Sequence, residues 1–132
     1  MATIPDNYLD LLNQKKAFAN LATILADGSR QVTPVWFDYS DGKIRVNTAK
    51  GRVKSRTLKP SAPVALAIMD PDNPYRYVQI RGRVARAVEA GADAHIDSLA
   101  KKYLGKDTYP FRQSGEVRVM YEIEPAAVSG MG

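Results

Sequence analysis

Apolar residues recur along this 132-residue chain in two rhythms, and the switches between them predict its elements. Leu9 and Leu12 lie one helical turn apart behind Asp6, which predicts a first helix over about 6–14 with Asp6 as its cap. Phe18 to Ala26 is rich in apolar residues and closes on the turn pair Asp27-Gly28, as a strand does. Arg30 to Tyr39 reads as a second strand, Ser40-Asp41-Gly42 as a tight turn, and Lys43 to Thr48 as a half-buried third strand of alternating character. Pro63 to Met69 is a buried strand, and Asp70 to Pro74 a turn or loop. Tyr77 to Glu89 is a long strand bent at Gly82. Ile96, Leu99, Ala100, Tyr103 and Leu104 then follow the helical spacing over about 92–104, with Gly105 as the stop. Alternation returns from Val117 to Pro125 as a last strand.

Strands joined mostly by turns, with small helices between them, predict a mainly β domain (α+β) over 1–132: an antiparallel barrel, closed or nearly so. Strands apolar on both faces, such as Pro63 to Ile68, require cover outside the barrel as well, and a second copy of the chain is the simplest cover.

Composition narrows the chemistry. The chain has no cysteine, which removes disulfides, thiolate metal sites and cysteine nucleophiles. Its start carries neither a basic n-region nor an apolar stretch, and no run reaches membrane-spanning length, so a soluble cytoplasmic protein is expected. The single histidine, His95, falls on the polar side of the second helix and is expected in solvent; a Ser-His-Asp triad or a histidine metal site does not fit. The acidic residues are scattered through turns and helices, without a pair spaced for two-carboxylate hydrolysis. An enzyme of this composition takes its reactive atoms from a cofactor.

Charge points to where that cofactor binds. The net charge is +5, and residues 42–69 hold seven of the 19 cations and no acid. Within them, Lys50, Arg52, Lys54 and Arg56 sit on a predicted short helix entered through Gly51 and ended before Pro60. Like charges at i,i+4 (Lys50/Lys54, Arg52/Arg56) disfavour a helix unless an anion lies between them. The stretch has no aromatic residue, so a small, strongly charged anion suits it better than a nucleic acid. Pro34, inside the second strand, cannot donate to a ladder and belongs at an edge or a bulge, where backbone groups are free for a flat ring.

Three segments in order, Leu21 to Gly28, Gln31 to Phe37 and Asn47 to Pro60, resemble the flavin/deazaflavin oxidoreductases related to pyridoxamine 5'-phosphate oxidase, over nearly the whole chain. The likeness is greatest to the branch that uses the deazaflavin coenzyme F420. It implies a six- to seven-stranded antiparallel split β-barrel of the FMN-binding type, a homodimer, and a cofactor at each subunit interface. The residues matching the phosphate-binding segment are Thr48, Lys50, Gly51, Arg52 and Lys54, with Arg52 and Lys54 as direct ligands. Gln31, Val32, Thr33, Pro34 and Val35 match the strand along the ring; Tyr75, Arg76 and Tyr77 match a segment lent by the second subunit, and Tyr77 and solvent stand equally as proton donor. Relatives that hold FMN tightly resemble Arg-x-Val-Leu-Leu-Lys where this chain reads Gln31-Val32-Thr33-Pro34-Val35-Trp36. With both cationic anchors gone, the resemblance implies F420 and hydride transfer to a conjugated, electron-poor small molecule. An FMN-dependent enzyme or a non-catalytic tetrapyrrole carrier of the same fold stands as the alternative.

Overall fold

The computed structural model describes residues 2–132, Met1 lying outside them. A 3-10 turn at Asp6–Tyr8 leads into α1 (Leu9–Asn13). The strands are β1 (Ala19–Ile24), β2 (Arg30–Val35), β3 (Asp38–Ser40), β4 (Lys43–Ala49), β5 (Pro63–Asp70), β6 (Asn73–Val88) and β7 (Arg118–Met131). Helix α2 (Val53–Thr57) follows β4, and α3 (Ala92–Leu104) follows β6. All strand pairs are antiparallel, in the order β2-β1-β5-β6-β7-β4-β3.

That order makes the barrel and its split. The two terminal strands of the sheet, β2 and β3, are consecutive in the chain and joined only by Trp36 and Phe37, so the sheet must curl until its edges meet there. The ladder does not run across the joint. Here the expectation of one strand over Arg30–Tyr39 is corrected: the segment is two strands on opposite edges, which brings the sheet to seven strands. The physical reason lies in α3. Phe37 is fully buried, its carbonyl accepts from Lys102 Nζ at 2.9 Å, and the Tyr103 hydroxyl, which donates to Ala17 O at 2.6 Å, lies 3.4 Å from Phe37 N. Side chains thus satisfy the corner's backbone in place of a ladder. Burial pushes the Tyr103 hydroxyl up to about 12, so it stays a donor.

Inside the barrel, Leu21, Phe37, Ile44, Leu66, Ile68, Ile80 and Ile123 pack with Leu11 and Leu12 of α1. A second cluster, Ile96, Leu99 and Tyr103 with Trp36 and Tyr109, lies between α3 and the barrel wall. The strand β6 begins at Asn73, earlier than the proline-rich segment leads one to expect, and its ladder with β7 shifts register at Arg81/Gly82, the bend placed there by the sequence. Asp6 lies within the opening turn and makes no side-chain cap. Pro34 faces Asn20 in unbroken register with β1 on the terminal strand of the sheet, which settles its place as an edge rather than a bulge. Among the described residues no helix is long and apolar enough to cross a membrane.

Candidate functional site

A cleft of about 280 Å³ opens between the β2 edge, the end of β4, the start of α2 and the α3 side of the barrel. Pro34, Val35, Thr48, Arg52 and Lys54 border it, so five of the residues picked out by the sequence come together here from two separate segments. Trp36, Asn47, Ile96, Leu99, Tyr109, Phe111 and Arg118 complete the wall. Trp36 stacks on Tyr103 with ring centroids 5.2 Å apart, and Tyr109 meets Trp36 edge-on. Trp36, Tyr109 and Phe111 give the cleft an aromatic lining.

The cationic segment folds differently from its expected single helix. Gly51 takes a φ of +88°, and Arg52 is extended, so the helix comprises only residues 53–57. Ser55 fastens this turn: its Oγ accepts from Gly51 N at 3.0 Å and donates to Arg52 O at 2.7 Å. Lys50 and Arg52 lie outside α2, so the expected i,i+4 repulsions within a helix do not arise. Repulsion is found instead between Arg52 and Lys54. Burial, and then the charge of Arg52, holds the Lys54 ammonium below the usual lysine range. Among the described residues neither Arg52 nor Lys54 has a carboxylate within ion-pair distance.

Other residues of the predicted set sit elsewhere. Lys50 turns to Glu89 at 2.6 Å, an exposed pair on the far side of the turn from the cleft. On β2, Gln31 and Thr33 alternate with exposed Val32. Gln31 Oε1 and Thr33 Oγ1 are buried, and neither has a hydrogen-bond partner among the described residues. Such atoms cost about 1–3 kcal/mol each when left unmet, so the edge of β2 is suited to a ligand bearing donors and acceptors. Tyr75, Arg76 and Tyr77 lie near the start of β6, outside the cleft of their own chain. The Arg76 guanidinium is engaged by Asp10 at 2.6 and 3.0 Å and Asp70 at 2.9 Å, while Tyr75 is 78% exposed. Asp70, held by the amide of Asp72 and by Lys15 and Arg76, lies at about 2.

This geometry, a split antiparallel barrel with a cationic turn beside its free β2 edge, coincides with a family match: the sequence profile of pyridoxamine 5'-phosphate oxidase covers residues 4–132. The chain belongs to that family. Among solved structures it is similar to an F420 reductase, with 32% identity, a TM-score of 0.80, and coverage of 96% of this chain and 98% of the other. A conserved hypothetical protein of Mycobacterium tuberculosis shares 22% identity at a TM-score of 0.72, covering 98% and 85%. The heme storage protein HutZ of Vibrio cholerae, at 13% identity and a TM-score of 0.68 with 96% and 94% covered, shares the fold alone. None of the curated proteins matches the chain. The fold is thus that of the flavin-type oxidoreductases of the pyridoxamine 5'-phosphate oxidase family.

Within this family member, two buried residues in and behind the cleft escape a reading of the sequence. Alternation along β7 assigns Val119, Tyr121 and Ile123 to the core and Arg118 to solvent, yet Arg118 is 5% exposed because α3 and the 105–117 segment cover that face. His95, expected in solvent, is also 5% exposed. Its Nδ1 lies 3.1 Å from Asn47 Nδ2 and its Nε2 3.2 Å from Asp38 Oδ1, because the helix turns this residue onto β3 and β4. Arg45 clamps the same Asp38 through Nε at 2.8 Å and Nη2 at 2.6 Å.

Burial alone would raise the Asp38 carboxyl, but hydrogen bonds from His95 and Arg45 outweigh it and hold the group at about 2. A carboxyl depressed in the folded state stabilises the protein above its unfolded value near 4, and that contribution is lost as pH falls from about 4 to about 2. We expect a loss of up to roughly 2 kcal/mol over that window from this residue. Chemical denaturation at pH 5 and pH 2.5 checks it: the difference in stability shrinks by about that amount in Asp38→Asn. An unchanged pH dependence in the variant would place the acid-sensitive group elsewhere.

Proposed function

We propose that this protein binds coenzyme F420 in the cleft and acts as a reductase on a conjugated, electron-poor small molecule. The observation that carries the reading is the pair Arg52 and Lys54, the first exposed and the second partly desolvated, bordering one cleft with the β2 edge and without a carboxylate at ion-pair distance among the described residues. Burying a lysine with no counter-ion is unfavourable unless an anion arrives to offset it. Support comes from the 32% identical F420 reductase, aligned over nearly all of both chains.

In this reading Arg52 and Lys54 hold the cofactor phosphate, with the turn at Gly51 shaping the approach. The backbone of Pro34 and Val35, with Gln31 and Thr33, lies along the ring, whose polar edge meets the unmatched oxygens of those two side chains. F420, when reduced, supplies hydride. The chain's own part is to bind, orient and exclude water, which lowers a barrier by several kcal/mol through positioning alone. We further propose a homodimer. Val32, Ile24 and Met69 are 64, 42 and 45% exposed, and a shallow apolar cleft bordered by Ala22, Pro63, Val64 and Ala65 runs along the outer face of β1 and β5. A second copy would cover these and bring its exposed Tyr75, with Tyr77, toward the cofactor. A tetrapyrrole carrier that uses histidine as its iron ligand fits less well, since His95 has both ring nitrogens engaged.

Titration of the purified protein with F420, followed by fluorescence, tests the reading. Micromolar binding is expected, and no spectral change at that concentration would overturn it; FMN released on denaturation would favour the FMN enzyme instead. Because the Lys54 ammonium lies below the usual lysine range, affinity should fall as pH rises through that lowered value, at lower pH than an ordinary lysine would produce. In Lys54→Arg, which stays charged, this alkaline loss should disappear.

A further inference from the structure

We propose that Arg118 is a third anion-binding residue of the cleft and that Asn47, held by the buried His95–Asp38 pair, is the residue that positions it. This deepens the reading above and rests on it for the identity of the ligand.

The guanidinium of Arg118 is incompletely used by the protein. Its Nε donates to Asn47 Oδ1 at 2.9 Å, and Nη1 donates to Glu116 Oε1 at 2.5 Å. Glu116 thus accepts through one oxygen, whereas an arginine facing a carboxylate commonly engages both. Among the described residues Nη2 has no acceptor, although the side chain borders the cleft shared with Arg52 and Lys54. The Tyr109 ring lies 5.1 Å from the guanidinium carbon and restricts it from one face. What is left over is a planar donor edge beside two cations with no carboxylate at ion-pair distance among the described residues, a combination suited to an oxyanion such as a phosphate.

The aim of that edge is set from behind, by four residues that each leave the next one orientation. Arg45 fixes Asp38 through both carboxylate oxygens. Asp38 Oδ1 lies 3.2 Å from His95 Nε2 and selects the tautomer with its proton there, leaving Nδ1 as an acceptor. Asn47 Nδ2 donates to that Nδ1 at 3.1 Å and to Ala92 O at 2.9 Å. Both amide protons are then committed, so Oδ1 must turn to Arg118. A side chain that touches no ligand in this arrangement, His95, therefore bears on the direction of one that does.

A double-mutant cycle tests the assignment by calorimetry, with F420 and, separately, inorganic phosphate as ligands. Arg118→Lys keeps the charge that balances Glu116 but loses the fork and the bond to Asn47; it should weaken binding about tenfold or more. Asn47→Ala alone should weaken it roughly fivefold, and should add nothing in the Arg118→Lys background, because its effect passes through Arg118. Multiplying effects, or native affinity in Arg118→Lys, would overturn the proposal. The native protein offers a second readout that needs no variant. With labelled arginine, the Arg118 Nε–H resonance should be protected from exchange and should shift when phosphate or F420 is added. If F420 does not bind but phosphate moves this signal, the deazaflavin reading fails and the Arg118 assignment stands; a signal indifferent to both ligands overturns the assignment.

Discussion

The Arg52→Ala/Lys54→Ala variant is expected to lose F420 affinity by about a hundredfold or more while melting no lower than the native protein. Each charge-assisted hydrogen bond to a phosphate contributes roughly 1–3 kcal/mol, and both cations border the same cleft. Stability should hold for a separate reason. Neither residue has a carboxylate partner among the described residues, and the charge of Arg52 is one cause of the lowered Lys54 pKa. Removing the pair relieves the repulsion between them and the desolvation of Lys54, and loses only the weaker charge interaction of Arg52 with Glu116. Fluorescence titration gives the affinity and thermal melting the stability. Native affinity in the double variant would show that the phosphate lies elsewhere, and a large fall in melting temperature would make the two residues structural. Lys50→Ala is the control: its partner is Glu89, outside the cleft, so it should change affinity by much less than either.

Gly82→Ala should be strongly damaging to the barrel. A Cβ at this position would lie 2.1 Å from the carbonyl oxygen of Glu124, 3.0 Å from its carbon and 3.3 Å from Pro125 Cα. All three are backbone atoms of the paired strand β7, which cannot turn aside as a flexible side chain does. The register shift of β6 against β7 at Arg81/Gly82 brings the two backbones this close, and the bend of the long strand depends on it. Overpacking of this kind costs about 3 kcal/mol, which for a domain of this size lowers the melting temperature by roughly 10 °C. A scanning melt decides it, and a shift of only a degree or two would mean that the strands do not approach as described.

Much of the site was legible because its signals are local. Gly51, Arg52 and Lys54 stand within four residues, and a glycine followed by unpaired cations reads as an anion turn wherever it falls. Pro34 likewise declares an edge or a bulge, since a regular interior strand does not tolerate a missing donor, and the structure makes it an edge. Helix α3 was placed from Ala92 to Leu104 by its apolar spacing and its closing glycine. The errors share a cause as well. Arg118 and His95 occupy positions that their strand and helix periods assign to water, and periodicity reports only which face an element presents, not what later packs on it. Lys50 matched the same phosphate-binding segment as Arg52, but in the fold it pairs with Glu89 and only Arg52 borders the cleft.

Sequence alone therefore determined most of the strands, the long helix, the position of the bend at Gly82 and the run of cations after Gly51, because each depends on residues a few positions apart. Only the tertiary structure decided that the second strand divides at Trp36 and Phe37 to close the barrel, since the buried corner is held by Lys102 and Tyr103 from a helix some 65 residues away in the chain. The same folding of α3 over β3 and β4 buried His95 against Asp38 and Asn47 and brought Arg118 to the cleft beside Arg52 and Lys54. Burial of a polar face depends on what covers it, and that cover comes from elements far away in the chain.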